Sequence, residues 1–172
     1  MTTMKEFHWF WAWEDEREEA WLGEMAQKGW HFKSVTMPGF YTFEHGEPRN
    51  DVYRLDFLAD FRAKADYLQL FMDAGWEYMG EMGSWQYFRK TARDGEVPEI
   101  FSDNASKATK YRRVLLVLVV LLPLYVNSLN LLNKQADTFS QILTFVMFLL
   151  LVLYAYGIIQ LGRRISQLSK KV

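Results

Sequence analysis

The chain has 172 residues, 50% hydrophobic and 24% charged, which excludes disorder and collagen-like structure and leaves room for one ordinary domain or a small domain with an appendage. It has no cysteine, so disulfides, thiolate zinc sites, iron–sulfur clusters and cysteine nucleophiles are excluded. The net charge of −1 hides an asymmetry: residues 1–106 are at −9 and hold all seven Trp, and residues 107–172 are at +8 with Asp137 as their one acid.

Phe7 to Trp13 (FHWFWAW) alternates and predicts a first strand, with Phe7, Trp9, Trp11 and Trp13 on one face. Glu14, Asp15 and Glu16 open a helix, where negative charge suits the dipole. With Glu18 and Glu19 they are expected on a solvated face. Trp21, Leu22, Met25 and Ala26 form the apolar stripe, and Gly29 ends the helix as a residue that can take φ > 0. Trp30 then anchors a strand, and GFYTF (Gly39 to Phe43) predicts its neighbour. VYRLDF (Val52 to Phe57) begins the series again. Tyr67, Leu68, Leu70 and Phe71 mark a second helix, Gly75-Trp76 a second corner, Gly80 to Gly83 a hairpin turn, and GSWQYF (Gly83 to Phe88) a last strand. LGEMAQKGW (Leu22 to Trp30) and LQLFMDAGW (Leu68 to Trp76) align at an offset of 46 residues, so an internal repeat is expected, with units of about 5–46 and 51–92.

Each unit reads strand, helix, strand, strand. Residues 1–92 are therefore expected to form an α+β domain, a tandem βαββ repeat in a two-layer sandwich with one antiparallel sheet and both helices on one side. Tyr53, Leu55, Phe57, Trp76, Tyr78, Trp85 and Tyr87 would join the first-strand aromatics under the helices. The opposite, partly solvated face would carry His8, Phe10, Arg54, Asp56, Glu77, Met79, Gln86 and Phe88. This is the candidate interaction face, a dimer seam or shallow ligand platform.

Residues 93–111 read as a polar linker and basic juxtamembrane segment. Two apolar stretches follow, 112–133 and 139–161, uncharged between Val114 and Asn133 and between Phe139 and Leu161. About 20 such residues cross a hydrocarbon core of roughly 30 Å, so an antiparallel two-helix transmembrane hairpin is expected. Lys107, Lys110, Arg112 and Arg113 precede it, and Arg163, Arg164, Lys170 and Lys171 follow within the basic tail 162–172. Positive flanks place both termini in the cytoplasm of a two-pass inner (plasma) membrane protein, and no signal peptide is read at the start. Neither span holds a charged group that would mark an ion path. Asn127, Ser128 and Asn130, and Tyr154, Tyr156 and Gln160, suit interfacial anchoring or hydrogen bonding between helices or subunits. A lone hairpin exposes most of its surface to lipid, which favours a homo-oligomer.

No HExxH, nucleophile elbow, phosphate-cradling loop or dinucleotide fingerprint occurs, and His8, His31 and His45 carry no metal-ligand spacing. No enzyme, cofactor or metal site is expected. A domain at −9 does not bind nucleic acid through phosphates, and its expected partners are the bilayer and another protein.

FWAWEDE (Phe10 to Glu16), WLGEMAQKGWHF (Trp21 to Phe32), GFYTFEHGEP (Gly39 to Pro48), VYRLDF and DAGWEYMGEMGSWQYFRK (Asp73 to Lys90) give the chain its pattern over roughly residues 5–92. In this it resembles the domain of unknown function family 2812, which two trailing membrane helices also suit. That family is bacterial, often encoded beside PadR-like transcriptional regulators, and without an established activity, so no functional residue carries over. The resemblance implies a regulatory or sensory membrane protein. The first expectation is thus a non-enzymatic, membrane-anchored interaction module. The alternative is a small-molecule or membrane-stress sensor with an aromatic-lined site, and an enzyme or transporter component ranks third.

Overall fold

The computed structural model describes residues 2–60, 62, 64–92, 97–101, 103–134 and 137–170. The chain divides into two compact units, Met1–Asp103 and Asn104–Val172. In the first, the elements run β1 (Thr3–Phe7), α1 (Asp15–Gln27), β2 (Trp30–Thr36), β3 (Phe40–His45), β4 (Asp51–Phe57), α2 (Lys64–Asp73), β5 (Glu77–Met82) and β6 (Trp85–Thr91). This is an α+β unit with the order strand, helix, strand, strand written twice.

Two three-stranded antiparallel sheets replace the single sheet expected. Their orders are β1-β3-β2 and β4-β6-β5, so in each the last strand of its series is central. β2 packs beside β5, and α1 packs on β2 and β4. Leu22, Met25 and Ala26 of α1 thus meet Phe32, Val35, Tyr41 and Phe43 of the first sheet and Tyr53, Leu55 and Tyr87 of the second in one buried cluster. The helices do not share a side. Phe71 of α2 lies 4.5 Å, centroid to centroid, from Phe88, whose neighbour Tyr87 points into the α1 core. Alternation along β6 puts these two rings on opposite faces, so the second sheet is covered on both sides.

The first strand stops earlier than its aromatic run. Phe7 pairs with Phe40, His8 donates its N–H to the Gly39 carbonyl at 3.0 Å, and Trp9 to Trp13 leave the ladder. Two register shifts, between Phe32 and Ser34 and between Tyr78 and Gly80, break the alternation elsewhere. Gly80 (φ +117°) sits at the second shift, inside β5, and the hairpin turn itself falls at Gly83 (φ +61°) and Ser84.

Gly29 and Gly75 end their helices at φ +81° and +79°, as the paired corners require. They differ in surroundings. A Cβ on Gly29 would lie 2.6 Å from the Gly46 carbonyl oxygen, whereas one on Gly75 would meet only the flexible end of Lys90 at 3.5 Å. Gly29→Ala should therefore cost about 3 kcal/mol, left-handed strain plus a backbone clash, and Gly75→Ala about 1 kcal/mol. Urea unfolding of the full chain in detergent, followed by Trp fluorescence, reads this difference, because every Trp lies in the first unit.

The second unit is a helical pair, α3 (Asn104–Leu132) and α4 (Thr138–Ser169), each longer than its apolar run. Asp137 caps α4, its carboxylate accepting the Ser140 N–H at 2.9 Å. Residues from Asn104 on, expected as linker, form the first turns of α3, while Arg93, Gly95, Ser102 and Lys171 lie outside the described residues. Both helices are long and apolar enough to cross a membrane, and only 6% of each apolar window is buried. A core helix of a soluble domain would be mostly covered. The pair is held by polar contacts as well as by apolar ones. Tyr154 donates to the Leu118 carbonyl, Tyr125 donates to the Met147 carbonyl, and the two tyrosine rings stack at 6.1 Å. Near the basic ends Tyr111 is buried, with Lys110 Nζ 5.2 Å and the Arg164 guanidinium 5.8 Å from its ring.

Candidate functional site

The face expected to be open is divided by the fold. Phe88, Gln86 and Asp56 are buried, beneath α2. The Tyr67 hydroxyl donates to Asp56 Oδ2 at 2.7 Å, and Gln86 is held by Tyr78 and Glu81 at 3.1 and 2.9 Å. Phe10 and Met79 pack against the α1 core. His8 stacks on Phe10 at 4.3 Å and lies 4.8 Å from Trp21. Arg54 is half-buried and bridges Glu19 (3.4 Å) and Glu99 (3.2 Å). Of this set only Glu77 stays exposed, and Arg89 pairs with it. The residues therefore do not converge on one surface.

The acidic run is solvated only in part, with Glu16 exposed and Glu14 half-buried. Asp15, Glu18 and Glu19 are buried. Glu18 Oε1 accepts the Tyr41 and Tyr87 hydroxyls, each at 2.6 Å, which ties α1 to both sheets through one carboxylate oxygen. Burial pushes the Glu18 carboxyl up from its ordinary range, against the two hydroxyl bonds that favour its charged form. Burial and the adjacent carboxylate likewise raise the Tyr41 and Tyr87 hydroxyls, so both stay protonated donors. Glu19 Oε1 accepts the Leu55 N–H at 2.8 Å.

A second polar cluster lies where β2 nears the second sheet. Asp51 is fully buried, with Arg49 at 3.3 Å, Arg89 at 3.8 Å and the Thr91 hydroxyl donating at 3.0 Å. Arg49 Nε donates to His31 Nδ1 at 3.1 Å. Burial, then the Arg49 charge, lowers the His31 pKa below its ordinary value, leaving the ring neutral at pH 7 and able to accept that bond. The Glu18 carboxylate is met by its two tyrosines, whereas in the second cluster Asp51 Oδ2 and the nearby Tyr53 hydroxyl are buried without a hydrogen-bond partner among the described residues, and the Asp51 charge is met by Arg49 and Arg89 alone.

What the unit does offer is an aromatic tip that alternation alone did not place outside. Phe7 is 53% exposed, Trp9 48%, Phe40 47% and Met37, in the β2–β3 turn, 74%. Phe7 and Phe40 rings touch at 5.1 Å, and Trp9 meets Trp11 edge-on at 5.4 Å, with Trp11 stacked on Trp13. The β1–β3 pairing and the His8–Gly39 hydrogen bond hold these segments together. Large rings standing free of the core at one end of a sheet are the usual material of a protein–protein contact. The signal available in the sequence was density: four aromatics at alternate positions outrun a five-residue strand. Among the described residues no three His, Asp or Glu side chains come together as metal ligands.

A family model described as "Protein of unknown function (DUF2812)" matches residues 14–122, from the start of α1 into the first apolar helix. No curated protein and no solved structure matches.

Proposed function

The chain belongs to the DUF2812 family, and on that premise we propose that it is a non-enzymatic regulatory module tethered in a bacterial inner membrane. Two helices span the bilayer, both termini face the cytoplasm, and the first unit binds a protein partner there. Basic residues at the two ends of the helical pair, against Lys134 and Asp137 near the connector, support this orientation. The observation that carries the binding role is the exposed tip of Phe7, Trp9, Met37 and Phe40. In this reading the partner is a PadR-like transcriptional regulator, and membrane tethering holds that regulator away from, or presents it to, its operators.

The test is co-purification of the full-length protein, in detergent, with a co-expressed PadR-like transcriptional regulator. Trp9 and Met37 are expected to act as anchors, so the double variant Trp9→Ser, Met37→Ser should weaken retention at least about tenfold while leaving unfolding unchanged. Failure of the unmodified chain to retain the regulator, even after crosslinking, would refute the reading.

A further inference from the structure

The connector end of the helical pair carries polar groups where lipid offers them nothing. From Val114 to Asn133 the first apolar run is uncharged and ends one residue before Lys134. If Lys134 marks the headgroup boundary, Asn127 lies about 10 Å inside it and Asn130 about 6 Å inside. Both are exposed. The α4-facing side of α3 is set by Tyr125 and Leu118, which are engaged with Met147 and Tyr154. Asn127 is about 200° around the helix from Tyr125, so it points away from α4. Among the described residues neither carboxamide has a hydrogen-bond partner, whereas the Ser128 hydroxyl between them is satisfied by the Leu124 carbonyl at 3.0 Å. Polar groups at this depth face other helices rather than lipid, because an unmet donor or acceptor in hydrocarbon is costly. Elsewhere at this end, Asn133, just past α3, and Gln141, Thr144, Phe145 and Phe148 of α4 line an open depression of about 380 Å³.

We propose that Asn127 and Asn130 form the seam of a homodimer, pairing with the same residues of a second copy across a two-fold axis. A carboxamide is both donor and acceptor, so a stripe of two is complementary to itself, and an identical helix is the simplest surface that meets both needs. The one charge beside the seam is Lys134, which is exposed at the boundary, where its long side chain reaches water and keeps the two symmetry-related cations apart; the nearest acid, Asp137, lies beyond it. The inference rests on the bilayer placement proposed above and is independent of the cytoplasmic partner.

The absence of native cysteine makes a clean test possible in membranes from cells expressing the full chain. Lys134→Cys lies in the turn two residues past the end of α3, next to the Asn130 end of the stripe, and Ser128→Cys lies on α3 about 130° from the middle of the stripe. On copper-phenanthroline oxidation Lys134→Cys should give a disulfide-linked dimer and Ser128→Cys should not. Adding Asn127→Leu and Asn130→Leu should reduce the Lys134→Cys dimer at least about fivefold, and because Leu is favoured at that depth the loss cannot be blamed on failed insertion. Equal crosslinking with and without the asparagines, no dimer at any expression level, or a crosslink to a different protein would overturn the proposal. Recovery of the chain in the soluble fraction would overturn the bilayer placement itself.

Discussion

Phe32→Ala is expected to destabilise the first unit by about 4 kcal/mol, the upper range for emptying a buried aromatic site. Phe32 is almost completely buried, and its ring lies 5.4 Å from Tyr87 and 6.1 Å from Tyr53 of the second sheet, and 6.2 and 6.3 Å from Tyr41 and Phe43 of its own. Among the described residues no other single side chain joins the two sheets through so many rings. The space it leaves is walled by large, mutually packed aromatics on separate strands, which cannot collapse without moving both sheets. Phe40→Ala, on the same sheet but half exposed, should change stability by less than about 0.5 kcal/mol. Urea denaturation monitored by Trp fluorescence compares the two. Equal losses would mean that the sheets do not share a core.

Glu18→Ala should cost about 3 kcal/mol, because it strands two buried tyrosine hydroxyls at once. Truncating one partner alone, as in Tyr41→Phe, leaves the carboxylate its second donor and should cost about 1 kcal/mol. The carboxylate also makes a pH signature. Its folded pKa is raised above its unfolded value, so the folded state holds the proton more tightly. Stability from this group is then greatest below the unfolded pKa and falls as pH rises through the folded pKa. Glu18→Gln keeps an acceptor for a tyrosine and removes the charge. It should flatten the decline above about pH 4.5, the side on which the unmodified protein loses stability. A decline of unchanged slope in Glu18→Gln would place its origin elsewhere.

Much of this architecture is legible in the sequence where it depends on local pattern. The Gly29 and Gly75 corners follow from helix stripes that end in Gly-Trp, and both glycines take the left-handed conformation. The two long helices follow from apolar length. The faces of the strands are less legible, because alternation is read from a start point and the shifts at Phe32/Ser34 and Tyr78/Gly80 move it by a residue. Met79 turns inward at the second of these shifts, while Phe10, past the end of β1, packs inward and Phe7 and Trp9 stay exposed. Burial of Phe88 and Asp56 requires knowing that α2 covers the far face of the second sheet. The acidic run at Asp15 to Glu19 resembles any solvated helix start. Its partners Tyr41 and Tyr87 are 23 and 69 residues from Glu18, a separation that local patterning does not record. The aromatic tip fell between these cases: its residues stand out by type, but their exposure is decided by where β1 leaves the sheet.

The proposed placement of the aromatic unit in the cytoplasm, across the membrane from the connector, is open to a direct test. Single cysteines at Thr138, beside the connector, and at Met37, 74% exposed on the tip, separate the two compartments. A membrane-impermeant maleimide applied to intact cells should label Thr138→Cys and leave Met37→Cys unreacted until the cells are lysed. Labelling of Met37→Cys on unbroken cells would contradict the account.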